Sequence, residues 1–417
     1  MTRPPNNPSS QNYRQVLRGY LRLHQLTVEG RDESPDADAV RDSLDLPWRA
    51  LTDTERGGIQ GLSADLYDIS ELIAGGPREM NPQAQKNLAE AFEAKHRGEW
   101  ERALELLRRW SKYIAPALLS YLRGGIWLVA GFPEVGAVFF EHAASLEPDN
   151  ANYAAIFLLC LAQSDSRRAR EMAEHILRTP KKHSPSLVIM AGDVEFYATR
   201  EMAELDAAAV FRSLIPVLTQ ALPEIPQDEK RSVYLMGLVL LAFCHEHLGE
   251  VDAAHGYYTR GLRLEPSHDA MLTGRGILTY GKSPQSTSDL EQAVKLGSSL
   301  VWPYFFLAHH YLLNNRYEEC RRLCDRALQM NASQTIQSQL SEWLAIAEAE
   351  LGFSPERVLA TFEQALRLDP SNDMARQNLD RYEQSIPRPV AQTMWEKRSA
   401  NTVRVFGQAE RRVLLAV

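Results

Sequence analysis

The chain is short of cysteine, of basic excess and of long apolar runs, and each shortage excludes a class. Four cysteines in 417 residues cannot staple a disulfide scaffold, and they fit a reducing compartment. Lys plus Arg number 46 against 54 Asp plus Glu, a net charge of −8. A protein that grips nucleic-acid phosphates normally carries the opposite balance, so no nucleic-acid partner is expected. The longest uncharged apolar run, 233–244, is a dozen residues. A bilayer span needs about 20, so the run reads as a buried helix and no membrane partner is expected. The opening residues, Met-Thr-Arg-Pro-Pro-Asn-Asn-Pro, lack the apolar stretch of a secretory signal. A cytoplasmic protein is the resulting expectation.

Catalytic signatures are missing as well. There is no glycine-rich dinucleotide turn, no phosphate loop, no nucleophile elbow and no His-Glu-x-x-His. No enzymatic site and no cofactor are expected. Cys244-His245-Glu246-His247 comes nearest to a metal set. Histidines two apart on a helix point about 200° apart and cannot share one ion. Cys320 and Cys324 are spaced to place both thiols on one helical face, and His309 and His310 precede them on the neighbouring helix. Thiolates and imidazoles together make zinc sites. Buried thiols are also ordinary core residues, and packing is the expected role here.

What the sequence has is repetition. Three segments end alike: 143–148 (Ala-Ala-Ser-Leu-Glu-Pro), 261–266 (Gly-Leu-Arg-Leu-Glu-Pro) and 365–370 (Ala-Leu-Arg-Leu-Asp-Pro). Residues 327–331 repeat the pattern without the proline. From Pro266 to Pro370 is 104 residues, three periods of 34–35. Each period reads as two helices. Trp302, Phe305, Ala308, Tyr311 and Leu312 have helical spacing, Asn314-Asn315-Arg316 signals a turn, and a second amphipathic stretch runs from Glu318 to Met330.

This pattern resembles the tetratricopeptide repeat, a 34-residue helix–turn–helix family. The matching residues are Tyr304, Leu307, Ala308, Tyr311, Cys320, Cys324 and Ala327 in one unit. In another they are Leu238, Leu241, Ala242, Gly249, Ala254, Tyr258, Gly261 and Pro266, and in a third Gly124, Trp127, Gly131, Gly136, Phe140, Ala143 and Pro148. The resemblance implies an all-α, right-handed helical-repeat solenoid over 81–386, with about eight helix pairs and a capping helix. Ahead of it, 12–75 reads as a small helical module. Ser34-Pro35 marks one helix start, and Thr52-x-x-Glu55 is a capping box. Residues 1–11 are expected to be disordered. Residues 387–417 form a basic tail with an apolar end.

The resemblance also implies a concave groove lined by first helices. The family's groove positions fall on Leu118, Tyr121 and Leu128 early in the chain. Later they fall on Met236, Val239, Phe243, Met271, Arg275, Trp302, Phe305 and His309. These eight are the expected partner-binding residues. The lining is apolar and aromatic. The Lys, Asn and Arg set with which some members clamp a C-terminal carboxylate does not recur, since Arg275 is isolated and Lys95 stands alone. The expected function is a protein-interaction scaffold whose groove takes a protein or peptide segment, the chain's own tail among the candidates. The alternative is a regulatory or oligomerisation subunit with a structural metal.

Overall fold

The computed structural model describes residues 10–70, 79, 81–199, 202–227 and 230–385. The tail at 387–417 and most of the stretch at 1–11 lie outside them. Two compact units divide at Val194 and Glu195, and the described residues form helices and turns without strands.

The first unit opens with α1 (Gln11–Val28), α2 (Pro35–Arg49) and α3 (Asp53–Ser70). Their starts follow from the caps legible in the sequence. The Ser34 hydroxyl accepts the Ala37 N–H at 3.3 Å, with Pro35 just inside the helix. Glu55 accepts the Thr52 N–H at 2.9 Å while Thr52 accepts the Glu55 N–H at 3.2 Å, a closed capping box. Glu55 also accepts the Ser10 hydroxyl at 2.6 Å, which ties the start of α1 to that of α3. Helix pairs follow: α4 (Pro82–His96) with α5 (Trp100–Trp110), α6 (Pro116–Val129) with α7 (Pro133–Leu146), and α8 (Ala151–Ser164) with α9 (Ser166–Arg178). Next comes α10 (Pro185–Ala198), within which the unit division falls.

The three opening helices have no core of their own. Tyr13, Val16, Leu17, Ile59, Leu62 and Leu66 share one cluster with Leu104, Leu107, Trp127, Phe132 and Phe139. A buried ion network crosses the same junction. Arg123 on α6, 1% exposed, lies 2.8 Å from Asp65 and 2.9 Å from Asp68 of α3, and Arg108 of α5 lies 3.2 Å from Asp65. Asp65 itself is fully buried. Beside it, Ser120 shares a 2.8 Å hydrogen bond with His142 of α7.

The second unit holds α11 (Glu204–Ala221), α12 (Arg231–His247) with α13 (Val251–Leu264), and α14 (Asp269–Leu278) with α15 (Pro284–Lys295). It continues with α16 (Val301–Leu313) and α17 (Tyr317–Ala327), then α18 (Gln334–Glu350) and α19 (Pro355–Leu368), and closes on α20 (Asp373–Ser385). One stretch, Glu204–Glu224, is long and apolar enough by composition to cross a membrane, and a third of it is buried. Its Phe211, Leu214 and Leu218 form one buried helical stripe, as in an amphipathic packing helix.

The turns inside the pairs explain the repeat signal. Gly98, Gly131, Gly249, Gly281 and Gly352 all have φ between 72° and 88°, and Asn315 has φ 58° in the same role. Only glycine adopts this left-handed backbone freely, with asparagine next. Replacing Gly131 with alanine is therefore expected to cost about 1–2 kcal/mol, read as a lower urea midpoint with unchanged helical signal. The ends of second helices share one cap. The N–H groups of Glu147, Glu265 and Asp369 donate to the carbonyls of Ala143, Gly261 and Ala365 at 3.1, 2.8 and 3.0 Å. Each capping residue has left the helical region, with ψ between 74° and 98°, as the following proline favours.

Candidate functional site

Most of the expected groove residues sit inside the second unit. Phe243, Met271, Trp302, Phe305 and His309 are all at most 2% exposed. Phe305 packs on Trp343 of α18 with ring centroids 4.7 Å apart, and His309 packs on the same indole at 5.0 Å. His309 also shares a 2.9 Å hydrogen bond with the Tyr280 hydroxyl. Phe243 meets Tyr258 edge-on at 5.9 Å. Arg275 is taken up by Asp289, which accepts from it twice, at 2.7 and 2.8 Å. Met236 and Val239 alone keep partly exposed apolar surface. The expected groove therefore has no open wall at five of its eight residues. Successive first helices interdigitate there, and the aromatic side chains fill the seam.

The four thiols are free and buried. Cys320 and Cys324 share a helix face, with sulfurs 3.9 Å apart. Among the described residues no three His, Cys, Asp or Glu come together to hold a metal ion.

An open apolar surface appears in the first unit instead, between α4 and α6. Asn81 caps α4, its side chain accepting the Ala84 N–H at 2.8 Å. Prolines open both helices. On α4, Leu88, Ala91, Phe92 and Lys95 fall on one face. On α6, Leu122 and Ile126 face them, and Leu107 of α5 closes the floor. Together these seven residues line one shallow dimple open to solvent. Leu118 and Val129 extend the α6 row by a turn at either end. Phe92 is 41% exposed, Leu118 37% and Val129 49%. Of the early groove positions, Leu118 belongs to this surface. Tyr121 instead packs on Tyr153, with tilted rings 5.1 Å apart.

Lys95 is the one charged group in the lining. No described side chain pairs with it, and burial pushes its ammonium below the usual lysine range. Gly125 makes room for it: a Cβ there would lie 3.1 Å from Lys95 Nζ.

No family model matches the chain, and no curated protein does. Solved structures similar to it include a tetratricopeptide repeat protein from Parabacteroides merdae, at 14% identity and TM-score 0.42. That match covers 64% of this chain and 99% of the other. A human IFIT1 dimer with m7Gppp-AAAA is similar at 11% identity and TM-score 0.43, over 90% and 86%. Yeast Tom70 is similar at 14% identity and TM-score 0.37, over 90% and 81%. The repeated hairpins with their left-handed turns decide the matter. The fold is tetratricopeptide-like. At these identities the likeness concerns fold, and a tetratricopeptide-like fold does not name its partner.

Proposed function

We propose that this tetratricopeptide-like chain is a protein-interaction scaffold. Its docking surface is the groove between α4 and α6. The carrying observation is the exposed row of Phe92, Leu118 and Val129 beside an apolar pocket. Scattered apolar residues on a surface need no explanation, whereas a contiguous row around a pocket does. The occupant that fits is an amphipathic helix, laid with its apolar face across Phe92, Leu118 and Val129. Lys95, which no described side chain pairs with, favours an Asp or Glu one turn from that apolar anchor.

Random dodecapeptides displayed on phage and selected on the immobilised protein test this reading. Enriched sequences are expected to carry a Leu, Ile or Phe with an acidic residue three or four positions away. Phe92→Asp is expected to weaken their binding by at least about tenfold, since a buried aromatic anchor is worth more than about 1 kcal/mol. Its thermal midpoint should stay near wild type, because Phe92 is exposed. Peptides that bind Phe92→Asp and wild type equally would place the docking surface elsewhere.

A further inference from the structure

We propose that the chain's own basic segment, 386–417, docks on the groove face of α18, with Arg388 set against Glu342. The inference concerns the second unit alone and stands apart from docking between α4 and α6.

The groove face of α18 is polar where that of α16 is not. Counted back from the left-handed turn residues Asn315 and Gly352, Gln339 and Glu342 hold on α18 the places that Trp302 and Phe305 hold on α16. The first helix of a solenoid pair normally gives its groove face to solvent or to a ligand. Yet Ser338 to Glu348 are buried without a break, and about three turns of helix therefore have no side facing water. α16 is apolar nearly all round and fills such a place as core. α18 does not, because Gln339 and Glu342 are each 1% exposed on the same stripe. Asn378 of α20 gives Glu342 a neutral donor at 3.2 Å, and a carboxylate so buried also draws a cation to it. Gln339 Oε1 and Trp302 Nε1, both buried, have no hydrogen-bond partner among the described residues. The N–H and C=O groups of a peptide backbone suit that acceptor and that donor.

Residues 386–417 bring what the stripe takes. They carry six Lys or Arg against two Glu, together with Trp395, Phe406 and the apolar run 413–417. Their reach fits as well. Asn378 marks the level of Glu342 and lies seven residues before the end of α20 at Ser385, about 10 Å along the helix. Residues 386–388, extended, span about 10 Å, so Arg388 is the first cation able to return to Glu342. A segment so placed closes the groove face of the second unit to other peptides.

Trypsin accessibility on the full chain tests the contact. Cleavage after Lys397 and Arg398 is followed at initial rates by mass spectrometry, with a synthetic 386–417 peptide as the undocked reference. In the full chain these bonds are expected to be cut at least about tenfold more slowly than in the peptide. Arg388→Glu should erase most of that protection. Glu342→Gln should do the same, since it keeps the side chain's shape and its acceptor for Asn378 but loses the charge. The two changes together should do no more than either alone, because both break one contact. Cleavage of the full chain at the peptide's rate would overturn docking. Protection that survives Arg388→Glu would overturn the Arg388–Glu342 contact, whatever Glu342→Gln does to stability. Protection that falls on dilution would place the segment on a second copy of the chain and overturn docking on its own.

Discussion

Replacing Asp65 with alanine is expected to destabilise the first unit by about 3–5 kcal/mol, because it strips a partner from a buried cation. Arg123 is 1% exposed and would keep only Asp68, whose side chain is 44% exposed. The intact network is not a large source of stability. Burial raises the Asp65 carboxyl to about 6 despite the opposing pull of Arg123 and Arg108, so ionising it in place costs free energy. The sign follows from proton linkage. Between about pH 4 and 6 the folded chain holds a proton on Asp65 that the unfolded chain has released. Stability from this group therefore falls as pH rises through that window. His24 and His142 act in the opposite sense. Burial lowers both, with His142 adding to the effect on His24 and Arg123 adding to that on His142. Each is held neutral in the fold, so acid charges the unfolded chain first and stability falls below about pH 6.5. Urea midpoints from pH 4 to 8 check both. Asp65→Asn should lose the descending contribution between pH 4 and 6 and keep the histidine-driven loss. A double variant, Asp65→Leu with Arg123→Met, should recover much of the loss, since it removes both charges. If that double variant is as unstable as Asp65→Ala, the unpaired-cation account fails.

Phe305→Ala is expected to cost the second unit about 3–5 kcal/mol, as for other fully buried aromatic truncations. Phe305 has no exposed surface and faces Trp343 across a 4.7 Å ring contact. Trp302 and Phe306 lie within 5.9 Å of the same ring, so the cavity would open inside an aromatic cluster. In a repeat array the loss falls on one unit and the interfaces with its neighbours. A lower midpoint, with brighter or shifted Trp343 fluorescence, is the expected reading. A stable Phe305→Ala chain that loses only partner affinity would restore Phe305 to a groove.

The repeat was legible because its local requirements recur. A left-handed turn needs glycine or asparagine, and Gly249 and Asn315 stand where the chain turns. A second helix that must stop there ends in Leu-Glu-Pro or Leu-Asp-Pro, because the proline turns the residue before it away from the helical region. The capping box at Thr52 and Glu55 was legible for the same reason: its partners are three residues apart.

The groove was not. Groove positions of the tetratricopeptide family were carried onto α16, yet Val301–Leu313 has almost no polar residue before its end. A helix that is apolar all round is buried all round, and that was the available sign that Trp302, Phe305 and His309 are core. On α4, by contrast, Phe92 shares its face with Lys95 and His96, three and four positions on, and these charged and polar neighbours mark a face open to water. The ion network left no pattern at all. Asp65 and Arg123 stand 58 positions apart, and only the fold, with α3 packed on α5 and α5 on α6, brings them together.

The central claim is that partners dock between α4 and α6 and not along the filled aromatic seam. A photo-crosslinking amino acid placed at position 118, and in a second variant at position 351, tests it in living cells. Both side chains are about equally exposed, at 37% and 38%, so reactivity with solvent is matched. The account predicts one dominant adduct at 118, abolished by Phe92→Asp. Its crosslinked segment should carry an apolar residue with an acid one turn away. Little adduct is predicted at 351. A dominant adduct at 351 with none at 118 would contradict it.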